Sequence, residues 1–170
     1  MIDISDHSLT PLSTDDSFAI QRLVHRYADA VVHRDAEQWG ACWNDEAVWN
    51  LGRGRGIVGK AAIVDLWRKA MAGMDAVVQF AHNGDAWRVD ADNDAALGRW
   101  YISERFRRSN GDVGVLLAHY DDAYVRTQRG WRFSRRLLQA HYHGPPDLSD
   151  DFLNTAARLS VANANQKVED

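Results

Sequence analysis

The chain has 170 residues, 45% hydrophobic and 26% charged, with a net charge of -4 at pH 7. That is the balance of one globular domain with a sizeable core. It excludes the basic stripe of a nucleic-acid binder, and no run approaches the roughly 18 apolar residues needed to cross a bilayer. The single cysteine, Cys42, rules out an internal disulfide framework and a multi-cysteine zinc site. "MIDISDHSLT" has neither a basic nor an apolar signal region, so the cytoplasm is the expected location. Seven Trp, five Tyr and five Phe are a large aromatic load, which suits a core or an apolar pocket.

Residues 1–14 read as a leader. Ser13-Thr14-Asp15-Asp16 offers a helix cap and first-turn acids. Ile20, Leu23, Val24, Tyr27, Ala28 and Val31 then recur at helical spacing, which predicts an amphipathic helix over 15–33. A short helix around "DAEQWGACW", a strand "EAVWNL" and a turn "GRGRG" follow. "GKAAIVDLWRKAMAG" predicts a third helix stopping at Gly73. Beyond it the pattern becomes strands: "AVVQFAHN", "AWRVDAD", "AALGRWYISERFRR", "VGVLLAHYDDAYVRT" and "WRFSRRLLQAHY". The turn signals "NGD", "DADND", "SNGD" and "TQRG" divide them. "HGPPD" ends the last strand, and "DDFLNTAARLSVAN" reads as a terminal helix. Helices followed by hairpin-linked strands predict α+β architecture, with helices on one face of a curved antiparallel sheet.

Three polar residues fall on apolar faces. Glu104 alternates with Trp100, Ile102 and Phe106 on one side of its strand. His82 alternates with Val78 and Phe80, with a bulge expected near Gly84-Asp85 because Trp87 and Val89 have the other parity. Tyr27 lies in the stripe of the first helix. Each has a plain alternative: a tyrosine reaching the rim, a satisfied core histidine, or a glutamate paired with Arg99, Arg105 or Arg135. Together they suggest an imidazole, a carboxyl group and a phenol entering one apolar cavity, the composition of a general acid–base site. Other motifs carry less. "GRGRGIVGKA" imitates a phosphate loop, but Ala61 stands where a magnesium-binding hydroxyl belongs. His141 and His143 form H-x-H without a third ligand, so no metal site is expected. No G-x-S-x-G nucleophile elbow occurs.

"IQRLVHRYADAVVHRDAEQWGACWNDEAVWNL", "GKAAI", "GRWYISERF" and "HYDDAYVRTQRGWRFSRR" together resemble the SnoaL-like branch of the nuclear-transport-factor-2-like superfamily. The resemblance spans about residues 15–143, leaving 144–170 as a C-terminal extension. It implies a cone-shaped α+β barrel, with helices closing a strongly curved sheet over an apolar cavity. Members include scytalone dehydratase, bile-acid 7α-dehydratase, polyketide cyclases, ketosteroid isomerase and ring-hydroxylating dioxygenase β subunits, many of them enzymes without a cofactor. In the dehydratases a first-helix aspartate pairs with a strand histidine. The corresponding positions here hold Val32 and Phe80, with His82 two residues on, and a late arginine falls near Ala140.

The resemblance and the residues together give the expected function. It is a lyase or isomerase that needs no cofactor or metal and acts on a small apolar, aromatic or cyclic molecule. His82 would be the base, Tyr27 an oxyanion donor, and Glu104 an orienting or acidic group. Val32, Trp49, Phe80, Trp100, Tyr120 and Ala140 would line the substrate. A homodimer or homotrimer is expected, with no nucleic-acid or membrane partner. The alternative is a non-catalytic ligand-binding or assembly domain, including a dioxygenase β-subunit-like role.

Overall fold

The computed structural model describes residues 9–52, 55–89 and 94–153. Helix α1 (Thr14–His33) starts where Ser13 Oγ accepts the Asp16 N–H at 3.1 Å, and it ends at Arg34 in the left-handed region. Asp15 and Asp16 sit at its positive end, as the sequence predicts. Asp35 caps α2 (Ala36–Ala41) by accepting from the backbone N–H groups of Glu37 and Gln38. Helix α3 (Lys60–Ala72) stops at Gly73, also as expected.

Among the described residues seven strands form one curved, unclosed sheet: β1 (Leu9–Pro11), β2 (Trp43–Asn50), β3 (Gly56–Val58), β4 (Met74–Val89), β5 (Ala95–Arg108), β6 (Val113–Thr127) and β7 (Gly130–Gly144). Their order is β1-β4-β5-β6-β7-β2-β3, antiparallel throughout except where β2 joins β7 in parallel. The helices cover one face. Ile20, Val24 and Val31 of α1 and Ile63 and Trp67 of α3 bury against Val77, Trp100 and Phe133 of the strands. The aromatic load concentrates here: Trp39 stacks on Trp67 with ring centroids 4.8 Å apart and also meets Trp43 and Trp49. Among the described residues, no helix is long and apolar enough to cross a membrane.

Four local expectations change. Leu9–Pro11, inside the expected leader, is an edge strand on β4. Gly56–Val58 adds a strand after the glycine-rich turn, whose residues 53–54 lie outside the described ones. "AVVQFAHN" and "AWRVDAD" are not separated by a turn: β4 runs unbroken to Val89, with a register shift between Ala81 and Gly84. The expected terminal helix falls mostly outside the described residues, and its described part, 150–153, is not helical.

Candidate active site

A cavity of about 240 Å³ lies between the sheet and α1 and α3. Leu66, Trp67, Ala70 and Met71 of α3, with Val31 of α1 and Trp49 of β2, make most of its wall apolar. Four polar side chains enter it: Tyr27 from α1, Gln79 from β4, Glu104 from β5 and Tyr120 from β6. Each is delivered by its element's period. Tyr27 lies four residues before Val31 on one helical face, and Glu104 shares the inward face of β5 with Trp100 and Ile102.

Gln79 and Glu104 are directly opposed across β4 and β5, and Gln79 Nε2 donates to Glu104 Oε2 at 2.8 Å. Burial raises the Glu104 pKa, and the Gln79 hydrogen bond only partly offsets it. Tyr27 and Tyr120 meet edge to face, with ring centroids 6.2 Å apart. Burial raises both phenols, so both remain protonated donors; contact with Tyr120 holds the Tyr27 proton while easing that of Tyr120.

Behind the two phenols sits a buried cation. The Arg136 guanidinium carbon is 4.2 Å from the Tyr27 ring centroid, 3.9 Å from that of Tyr120 and 4.1 Å from that of Phe133. Its Nε and Nη2 donate to the two oxygens of Asp122 at 2.9 and 3.1 Å, and the Tyr124 hydroxyl adds a bond at 3.0 Å. Both charged groups are almost inaccessible, at 1% and 0%. Desolvation opposes the guanidinium charge, and the Asp122 carboxylate is the foremost group that favours it. Among the described residues Nη1 has no hydrogen-bond acceptor, and the π faces of Tyr27, Tyr120 and Phe133 are the compensation found there.

Residues 13–137 match the sequence profile of the SnoaL-like domain. The chain belongs to that family. No curated protein matches it significantly. Among solved structures it is similar to a candidate aromatic ring hydroxylase from Novosphingobium aromaticivorans. The two share 25% identity over 82% of this chain and 99% of the other, with a TM-score of 0.71. It is also similar to a candidate scytalone dehydratase from the same organism, at 18% identity over 83% and 93% of the two chains and a TM-score of 0.69. A hexachlorocyclohexane dehydrochlorinase from Novosphingobium barchaimii gives 18% identity over 81% and 94%, with a TM-score of 0.67. The last two likenesses show the fold alone.

Within this SnoaL-like cone, Tyr27, Glu104, Trp49 and Tyr120 stand at the cavity. His82 does not. The inward residues of β4 are Val77, Gln79 and Ala81, opposite Phe106, Glu104 and Ile102, so Val78, Phe80 and His82 point outward. His82 is exposed, and its Nε2 meets Ser103 Oγ at 2.8 Å. The bulge places His82 and Asn83 opposite Tyr101 and brings Gly84 inward against Trp100. The expected position of His82 and Phe80 is therefore corrected by one residue: Gln79 occupies the inward place, and Phe80 is 51% exposed. Val32 is likewise on the solvent side, while its neighbour Val31 faces the cavity. Trp100 is buried in the core near the start of α1 rather than at the cavity. Ala140 lines a wider depression at the rim, which shares Leu51, Leu116 and Leu138 with the cavity. His141 pairs with His119 at 2.8 Å, away from the cavity lining.

Sequence reasoning missed Gln79 and Arg136. The signal for Arg136 was present: Asp122 alternates with Tyr120 and Tyr124, and a carboxylate in that line needs a buried cation from the next strand.

Proposed function

We propose that this chain is a cofactor-independent lyase or isomerase acting on a small, largely apolar, cyclic molecule, with Glu104 as its proton-transfer group. The observation that carries this reading is one carboxyl group and two phenols in the wall of a single apolar cavity. The volume of about 240 Å³ suits a compact ring, since ordinary ligand pockets run from about 300 to 1,000 Å³.

A carboxylate with a raised pKa is a stronger base than one in water. Glu104 would take a proton from a carbon beside a carbonyl group. The electron pair moves onto the carbonyl oxygen, where the Tyr27 and Tyr120 hydroxyls donate hydrogen bonds. The fixed charge of Arg136 behind their rings favours the negative charge as it develops. Returning the proton at another carbon shifts a double bond; expelling a β-hydroxyl, with the proton going to the leaving oxygen, eliminates water. Retro-aldol-type cleavage uses the same groups, with the proton first taken from a hydroxyl. Val78, Phe80 and Tyr101, exposed on the outer sheet face, support a homodimer or homotrimer as the working form.

The test is turnover of cyclic enones and β-hydroxyketones by the wild type and by Glu104→Gln. A loss of about 10²–10⁴-fold in kcat is expected; unchanged kcat would remove Glu104 from the reaction.

A second reading, a non-catalytic partner of a ring-hydroxylating subunit, is favoured by the 25% identity to the candidate aromatic ring hydroxylase. Co-purification with a larger subunit and no turnover alone would establish it instead.

A further inference from the structure

Away from the cavity, a groove of about 470 Å³ opens between the start of β2, the first turn of α3 and the turn joining β6 to β7. Asn44, Asp45, Lys60, Gln128, Arg129 and Arg132 line it. The carboxylate of Asp45 is exposed and lies 3.6 Å from Lys60 Nζ, a pair that open water weakens. No carboxylate partner of Arg129 or Arg132 is found among the described residues. Arg132 is anchored instead by Nη1 donating to the Trp131 carbonyl at 2.7 Å. Burial pulls the Arg132 pKa down; Cys42 opposes this, and the like charges of Arg26 and Arg129 add to it. A chain of net charge -4 thus places Lys60 of α3, Arg129 of the β6–β7 turn and Arg132 of β7 around one groove.

We propose that this groove binds a phosphate-bearing small molecule through Lys60, Arg129 and Arg132. Guanidinium forks match a tetrahedral oxyanion, and a lysine adds a mobile point charge. An anion there would relieve the repulsion that the groove now carries. The site is separate from the proposed reaction but not remote from it. Trp43 lines the groove, and its ring stands 6.1 Å from those of both Tyr27 and Trp49, which line the cavity. Its indole should therefore report binding.

The test titrates the full-length protein with inorganic phosphate and with pyrophosphate at constant ionic strength. Tryptophan fluorescence and calorimetry are the readouts. Saturable binding at one site per chain is expected, tighter for pyrophosphate. Arg129→Gln, at an exposed position, should weaken it about tenfold or more, since charge-assisted bonds are the strong ones. Asp45→Asn should strengthen binding several-fold by removing the competing carboxylate, and melting temperatures should confirm that both variants fold. Chloride competing as well as phosphate, a signal that does not saturate, or affinities indifferent to both substitutions would each overturn the proposal. Because Glu104 takes no part, these results are independent of the reading of the cavity.

Discussion

Replacing Glu104 by Gln keeps the shape of the side chain and an acceptor for Gln79 Nε2 but removes the charge. The folded pKa of Glu104 lies above its ordinary value of 4.5, because burial disfavours the carboxylate. The folded chain therefore binds this proton more tightly than the unfolded chain. Stability is lost as pH rises from the unfolded pKa to the folded one, and the penalty then stays constant. Each unit of displacement costs about 1.4 kcal/mol above both values. In a chain of this size, 1 kcal/mol shifts Tm by about 2–4 °C. Glu104→Gln should therefore melt higher than the wild type at neutral pH, by an amount that vanishes towards about pH 4. The wild-type kcat/KM should rise as pH climbs through the same raised pKa, because the base form is required. Thermal melts of both proteins from about pH 4 to pH 8 test this directly. A Tm difference that does not change across that range, or a variant less stable at neutral pH, would refute the argument.

Arg136→Met leaves the Asp122 carboxyl group buried with only Tyr124 as a side-chain partner, and should cost about 3–5 kcal/mol in urea unfolding. A loss below about 1 kcal/mol would show that the pair is not held as described. Gly84→Ala places a Cβ 2.5 Å from both the Arg99 carbonyl oxygen and the Trp100 ring. It should lower stability by about 1–3 kcal/mol, and an unchanged melt would mean that the bulge lies elsewhere. His82→Ala, removing an exposed bond to Ser103, should change stability by less than about 0.5 kcal/mol and leave turnover intact. A large loss of kcat would return His82 to the mechanism.

Much of the fold was legible because its signals are local. The cap at Ser13, the stripe from Ile20 to Val31 and the stop at Gly73 each depend on residues within a turn or two. The inward face of β5 was readable for the same reason, since the strand runs on without a break from Trp100 to Phe106 and Glu104 must follow Trp100 and Ile102. The cavity wall of β4 was not readable in this way. Val78 and Phe80 make the more apolar face, yet that face is outside, and the inward places go to Val77, Gln79 and Ala81. Hydrophobic alternation alone thus chose the wrong side, and His82 went with it.

The sequence by itself determined the three helices, the long strands β5 to β7, the SnoaL-like resemblance and the inward aim of Tyr27 and Glu104. Backbone period and capping act over a few residues and need no partner. The tertiary structure decided which face of β4 meets the helices, that Gln79 opposes Glu104, and that Arg136 closes on Asp122 behind the phenols. Those choices hang on bulges at His82–Asn83 in β4 and near Ser134 in β7, each shifting side-chain parity by one. A bulge is placed by fit to the neighbouring strand. A Cβ where Gly84 faces Trp100 would come within 2.5 Å of the indole ring. That fit exists only once the strands have met.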